Sequence, residues 1–158
     1  SGPVSVHLQQ KYPGTRIAIL DTDSHHGNGT RNVTYGNHDI LHVCFCSSDI
    51  VEDEGTKICV NCGYQTTDQA YLTLVEKQFI GRLEDFQPDF IIHLLGHDTA
   101  QGDYGDRGLS LEFFGKLVKK VKNASKICNG RYLINTHGGA LVNVCERVYK
   151  DAIRILAN

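Results

Sequence analysis

The chain has 158 residues, of which 41% are hydrophobic and 22% charged, and its formal net charge is −2. This length suits a single domain with a buried core. The near-neutral charge, with acidic and basic residues interspersed, argues against a nucleic-acid partner. No apolar stretch approaches the roughly 20 residues that cross a bilayer, so we expect no membrane partner either.

Helix and strand patterns alternate along the chain. Apolar spacing predicts helices over 4–10, from 67 or 68 to 83, over 111–121 and over 141–155. Apolar runs predict strands over 16–21, 41–46, 57–61, 89–95 and 131–136. This alternation predicts one α/β domain, 1–158, around a largely parallel sheet.

Three of the predicted strands end in polar clusters. These are Asp21–His26, Gly96–Asp98 and Thr136–Gly139. Ligands of open parallel sheets bind outside the carboxyl ends of the strands. The three loops are therefore expected to meet at one edge of the sheet.

The first two clusters contain candidate metal ligands. Alternate side chains of an extended segment share a face, so Asp23 and His25 can point the same way. With Asp98 they would supply three ligands and leave a fourth position open, which is typical of a catalytic zinc. Such a zinc suits amide hydrolysis. The alternative is a turn residue at Asp98 and an ordinary loop histidine at His25.

Other polar residues have weaker assignments. His26, His97 and His137 could orient a ligand or a substrate carbonyl, or could simply line polar loops. Asp103 and Asp106 are expected to order their own loop.

Six cysteines lie mostly in apolar, strand-like or helical contexts. A disulfide scaffold would be smaller and richer in loops, so we expect reduced thiols and a cytoplasmic protein. Four of the cysteines could form a structural zinc knuckle, although burial in strands favours a role as small hydrophobes. They are Cys44, Cys46, Cys59 and Cys62.

Two motifs resemble a known family. The segments Leu20–Thr30 (LDTDSHHGNGT) and Asp89–Thr99 (DFIIHLLGHDT) are similar to motifs of the histone deacetylase family, which includes acetoin-utilization and acetylpolyamine amidohydrolases. Gly102–Ser110 and the Gly138–Gly139 pair also fit, so the resemblance covers essentially the whole chain. It implies an arginase/deacetylase-like three-layer αβα fold and hydrolysis of N-acyl amides such as acetyl-lysine or acetylpolyamine.

The resemblance also implies a set of site residues. Zinc would be held by Asp23, His25 and Asp98. A monovalent cation, K⁺, would be held by Asp21, the backbone of Asp23 and His25, and the region of Cys44 and Phe45. The family usually has serine where this chain has Cys44.

The chain departs from the family pattern at two places. Family members carry a tandem histidine pair upstream of the segment matching residue 1, and a tyrosine after the late glycine pair. Here Ala140 and Leu141 follow the glycines. We therefore expect the C-terminal portion of a longer catalytic domain that binds metal and hydrolyses poorly or not at all, with His137 and His97 as the remaining catalytic candidates.

Two other functions stay open. The first is a non-catalytic relative that binds a metal or an acyl group. The second is a haloacid-dehalogenase-type phosphatase with Asp21 as nucleophile, Asp23 as acid/base, and Asp103 or Asp106 on Mg²⁺. Exposed sheet edges would also favour a homo-oligomer.

Overall fold

A computed structural model describes all residues, 1–158, and contains one six-stranded sheet. The strand order is β3-β4-β2-β1-β5-β6. All neighbouring strands are parallel except β3, which runs antiparallel to β4. The strands are β1 (Ile17–Asp21), β2 (Ile40–Cys46), β3 (Ile50–Glu52), β4 (Lys57–Asn61), β5 (Phe90–Leu95) and β6 (Tyr132–Thr136).

Six α-helices surround the sheet. They are α1 (Gly2–Lys11), α2 (Asn28–Thr34), α3 (Asp68–Val75), α4 (Gly81–Phe86), α5 (Leu111–Ala124) and α6 (Val142–Ala157). A π-helical turn, Glu76–Ile80, joins α3 to α4, and short 3₁₀ turns lie at Asp53–Gly55 and Ser125–Cys128. No helix is both long enough and apolar enough to cross a membrane.

Alternate residues of the strands serve two separate cores. On β1, Ala18 and Leu20 pack into the larger core, which α3 to α6 cover. Ile17 and Ile19 point the other way and pack with Val6 and other apolar residues in the smaller core. The sheet therefore lies between two helical layers, which confirms the predicted three-layer αβα fold.

Local sequence explains where two of the helices begin. The predicted cap of the helix near residue 68 is Thr67, whose hydroxyl accepts from the Ala70 amide at 3.2 Å. Ser110 caps α5 in the same way, accepting from Phe113 at 3.3 Å. The single helix predicted over 67–83 is interrupted by the π-helical turn, which apolar spacing does not signal.

The topology places the polar loops together. Strands β2 and β4 lie on one side of β1, and the later strands β5 and β6 lie on its other side. The carboxyl ends of β1 and β5 therefore flank the point where strand order reverses, where α/β sheets bind ligands. Asp21 at the end of β1 pairs with Cys44 on one side and Leu94 on the other.

Candidate metal centre

Asp23, His25 and Asp98 converge at the carboxyl ends of β1 and β5. The His25 Nδ1 atom lies 2.8 Å from Asp23 Oδ1 and 3.1 Å from Asp98 Oδ2. One ligand atom from each of the three residues lies within 4.8 Å of the others. The structure thus brings together the three side chains that the sequence nominated as zinc ligands.

Backbone and hydroxyl hydrogen bonds hold this arrangement. The His25 amide donates to Asp23 Oδ1 at 2.8 Å, which bends the loop after β1 back on itself. The Ser24 hydroxyl donates to Asp98 Oδ2 at 2.6 Å and so ties this loop to the one after β5. The two carboxylates are therefore positioned before any ligand arrives.

The site concentrates negative charge in a buried place. Asp98 is completely buried and Asp23 is 6% exposed, yet neither forms an ion pair with a lysine or an arginine. Burial raises the pKa of Asp98, and the nearby Asp23 charge adds to the effect. Burial also acts to raise the pKa of Asp23, but hydrogen bonds from His137 and His25 outweigh it and leave this pKa below its usual value.

The donor set fits a divalent cation. Two carboxylates and one imidazole are ligands that zinc accepts, with a fourth position free. A buried carboxylate pair without a lysine or arginine partner is costly unless a cation neutralises it. Both observations favour a metal between these three residues.

Three glycines leave room around the carboxylates. A Cβ atom on Gly96 would lie 2.8 Å from Asp98 Oδ1, and one on Gly138 would lie 2.7 Å from Asp23 Oδ2. A Cβ on Gly105 would overlap the Ser24 hydroxyl. The glycines therefore let the loop backbones lie close to the carboxylates and to Ser24, where any larger residue would clash.

The two histidines nominated for catalysis have different surroundings. His137 Nδ1 lies 2.8 Å from Asp23 Oδ2, and its side chain is about half exposed. His97 is buried, with Nδ1 3.1 Å from the Tyr149 hydroxyl and its ring against Gly139. His137 can meet a ligand at the site, whereas His97 is placed to support the glycine pair.

The expected cation site lies on the other side of the loop. The Gly27 amide donates to the Cys44 sulfur at 3.2 Å, and that sulfur lies 3.6 Å from the His25 carbonyl oxygen. Asp21 Oδ2 lies 3.5 Å from His42 Nε2, and Phe45 is buried against Tyr71. The residues named for K⁺ are close together, and the cation itself stays a prediction.

Tyr104 is a site residue that the sequence interpretation missed. Its hydroxyl accepts from the Gly139 amide at 3.1 Å, and its ring centroid lies 5.5 Å from that of His25. Burial raises the pKa of Tyr104, and the Asp98 charge raises it further, so the phenol stays protonated at neutral pH. The only sequence signal was a tyrosine between two glycines in the loop after Asp98.

Asp103 was expected to order its own loop. It does accept from the Tyr104 amide at 2.7 Å, but it also accepts from the Ala140 and Leu141 amides, each at 3.0 Å. Asp106 accepts from Gly102 and Gly108 within the loop. Asp103 therefore joins the Tyr104 loop to the segment after the glycine pair.

Comparisons with known proteins give a family. A sequence model of the histone deacetylase domain matches residues 4–156. A histone deacetylase-like amidohydrolase of Pseudomonas aeruginosa is 30% identical over 78% of this chain and 36% of its own length. Histone deacetylase 6 of Caenorhabditis elegans is 25% identical over 96% of this chain and 18% of its own. A probable deacetylase of Archaeoglobus fulgidus is 25% identical over 78% of this chain and 38% of its own length.

Solved structures agree on the fold. The histone deacetylase Clr3 superposes with a TM-score of 0.84 at 21% identity, covering 98% of this chain and 29% of that one. The HDA15 HD domain superposes with a TM-score of 0.81 at 23% identity, covering 98% of this chain and 48% of that one. The chain spans less than two fifths of the length of the curated relatives named above. The phosphatase alternative receives no support.

Proposed function

Because this chain belongs to the histone deacetylase family, we propose that it carries the metal-binding part of a zinc-dependent amidohydrolase acting on N-acyl amides. Acetyl-lysine and acetylpolyamines are the substrates that the family resemblance suggests. The observation that carries the proposal is the buried Asp23–Asp98 carboxylate pair, which meets the His25 imidazole and has no lysine or arginine partner. Asp23, His25 and Asp98 would hold the metal, which when bound supplies a Lewis acid for amide hydrolysis.

His137 is the residue we propose to move protons. Its Nδ1 atom is held by Asp23, so Nε2 is directed away from the carboxylate and its side chain reaches solvent. An imidazole oriented by a carboxylate can accept a proton from water and return it to a leaving amine. Loss of such a group typically lowers the rate by about 10²–10⁴-fold.

Tyr104 is the residue we propose to bind the acyl oxygen. A protonated phenol beside a metal site can donate a hydrogen bond to a carbonyl oxygen and stabilise the charge that develops on it. Tyr104 lies beside the glycine pair, where the residue is 60% exposed and available to a ligand. In this chain it would serve in place of a tyrosine after the glycines.

A metal-binding measurement combined with hydrolysis tests the proposal. The chain should bind zinc and cleave an acetyl-lysine peptide, and Asp98→Ala should lose both the zinc bound at this site and the turnover. Asp85→Ala is the matched control, because Asp85 is an exposed carboxylate on α4, away from the sheet edge. Unchanged zinc affinity and turnover in Asp98→Ala would contradict the proposal.

The non-catalytic alternative predicts a different result. A relative that only binds acyl groups would take up a hydroxamate in the presence of zinc, and Asp98→Ala would abolish that binding, but no substrate would be cleaved. The position of Tyr104 favours the enzyme, because it supplies a carbonyl donor where the sequence alone shows none. Hydroxamate affinity and turnover should therefore be measured on the same preparation.

A further inference from the structure

A second cluster of potential metal ligands lies on the opposite side of the loop that follows β1. We infer that Cys44, Cys46, Cys59 and His26 form a separate zinc site, built from thiolates. The three cysteines form one buried group, and none is in a disulfide. The zinc would stabilise the fold of the loop and would take no part in the reaction.

The sheet itself brings the three sulfurs together. Cys44 and Cys46 are two residues apart on β2, so their side chains point to the same face. Cys59 is the register partner of Cys44 on the neighbouring strand β4. Pairing of these two strands therefore places three thiols side by side without any special loop geometry.

His26, in the loop after β1, is the fourth proposed ligand. Its Nδ1 atom lies 3.4 Å from the Cys59 sulfur and 3.6 Å from the Cys46 sulfur. In a regular tetrahedral zinc site, with usual zinc–sulfur and zinc–nitrogen bond lengths, nitrogen and sulfur ligands lie about 3.6 Å apart. The ligand atoms of His26, Cys46 and Cys59 lie within 4.8 Å of one another. Cys44, a member of the same buried group, would supply the remaining ligand of a Cys₃His set.

Charge at the cluster also points to an anionic centre. Arg31 is buried on α2 and contacts the Cys59 sulfur, and its Nε atom has no hydrogen-bond partner. Its nearest carboxylate oxygen, on Glu52, is 3.9 Å away. Beside three neutral thiols this buried guanidinium has only a long ion pair with the half-exposed Glu52, whereas zinc with three thiolates carries one net negative charge in direct contact with Arg31.

The imidazole has to be in one tautomer for this arrangement. Arg31 Nη1 now lies 3.1 Å from His26 Nε2. With Nδ1 on zinc, Nε2 carries the proton, and Nη1 turns instead to the Glu52 carboxylate. The required movement is confined to the end of one flexible side chain.

This site differs from the knuckle that the cysteine spacing suggested. Cys62 packs in the larger core and donates to the Cys46 carbonyl oxygen at 3.3 Å, so His26 takes the place expected for it. The site also bears on the expected K⁺ position, because a thiol at Cys44 is a soft ligand that favours zinc over a hard monovalent cation.

Cobalt substitution tests the inference independently of any catalysis. Co²⁺ bound to thiolates gives sulfur-to-metal charge-transfer absorption, which a site of carboxylates and imidazole does not give. We expect this absorption in the chain and in Asp98→Ala, with loss in Cys59→Ser and a decrease in Co²⁺ affinity of at least roughly tenfold in His26→Ala. Zinc should number two per wild-type chain and one per Asp98→Ala chain.

Cys62→Ser is the matched control, since a serine hydroxyl can make the same bond to the Cys46 carbonyl. Charge-transfer absorption that survives His26→Ala at full affinity but disappears in Cys62→Ser would overturn the inference in favour of the knuckle. Absence of the absorption in folded, reduced Asp98→Ala would overturn it altogether. Thiol labelling of the wild type in denaturant, with and without zinc, covers the case of a Cys59→Ser variant that fails to fold. Because five of the six cysteines are buried in the native fold, only slower labelling of three of them in the presence of zinc under these conditions supports the site.

Discussion

Lowering the pH should destabilise the fold through His93, a histidine buried in β5. Its Nδ1 atom lies 2.7 Å from the Tyr132 hydroxyl on β6, and its Nε2 atom lies 2.9 Å from the Thr22 hydroxyl beyond β1. Thr22 donates its own proton to the Leu94 carbonyl at 3.2 Å, so it accepts from His93 Nε2. His93 is therefore neutral in the fold, with its proton on Nε2.

The size of the effect follows from the pKa. Burial lowers the pKa of His93 from 6.5 to about 3. Below pH 6.5 the unfolded chain binds a proton at this residue, whereas the folded chain does not until about pH 3. The free energy of unfolding consequently falls by up to 1.36 kcal/mol per pH unit, or by about 2 kcal/mol between pH 8 and pH 5.

Urea denaturation at pH 8 and pH 5, followed by circular dichroism, measures this effect. Both titrations should contain a chelator, so that metal binding does not contribute. His93→Gln retains polar atoms but cannot titrate, and its loss of stability over the same interval should be smaller by about 2 kcal/mol. If the wild type and His93→Gln lose equal stability, the reasoning about a neutral, buried His93 is wrong.

Three further substitutions test the site. Tyr104→Phe should leave zinc affinity unchanged but lower the turnover of an acetylated peptide by about 10²-fold, because only the hydroxyl is removed; equal turnover would exclude Tyr104 as the carbonyl donor. Gly105→Ala should weaken zinc binding and cost about 1–3 kcal/mol in unfolding free energy, because its Cβ would displace Ser24 and crowd Asp98. Gly29→Ala, whose Cβ meets no atom within 4 Å, is its control. Asp103→Asn should speed hydrogen exchange of the Ala140 and Leu141 amides, and unchanged exchange would show that its carboxylate does not hold this segment.

Most of the sheet could be predicted because its strands are continuous apolar runs. The strand Lys57–Asn61 agrees at both ends, and Ile40–Cys46 and Phe90–Leu95 differ from prediction by a single residue. The helix α2 and the strand β3 escaped prediction. The first has the sequence NGTRNVT, with no apolar stripe, and the second has three residues and depends on pairing with β4.

The candidate site likewise contains some residues that the sequence locates and others that it does not. Asp23, His25 and Asp98 follow strands directly, so the rule for carboxyl ends of parallel strands locates them. Tyr104 and Asp103 lie in a loop whose path depends on bonds to residues 139–141, which are distant in sequence. Periodicity contains no information on such contacts. The cysteine group was only partly predictable. Strand patterns place Cys44 and Cys46 on a common face but do not reveal that His26 lies against the cysteines.

The adjacent residues His25 and His26 now have separate explanations. Because β1 lies between β2 and β5, the loop after it extends over both halves of the sheet. His25 faces Asp98 after β5, and His26 faces the cysteines of β2 and β4. The bend at residues 23–25 turns these two adjacent imidazoles toward different strands, so they can serve two different metals. A zinc on the cysteines would thus fix the backbone from which His25 reaches the carboxylates, and the second site would pre-organise the first.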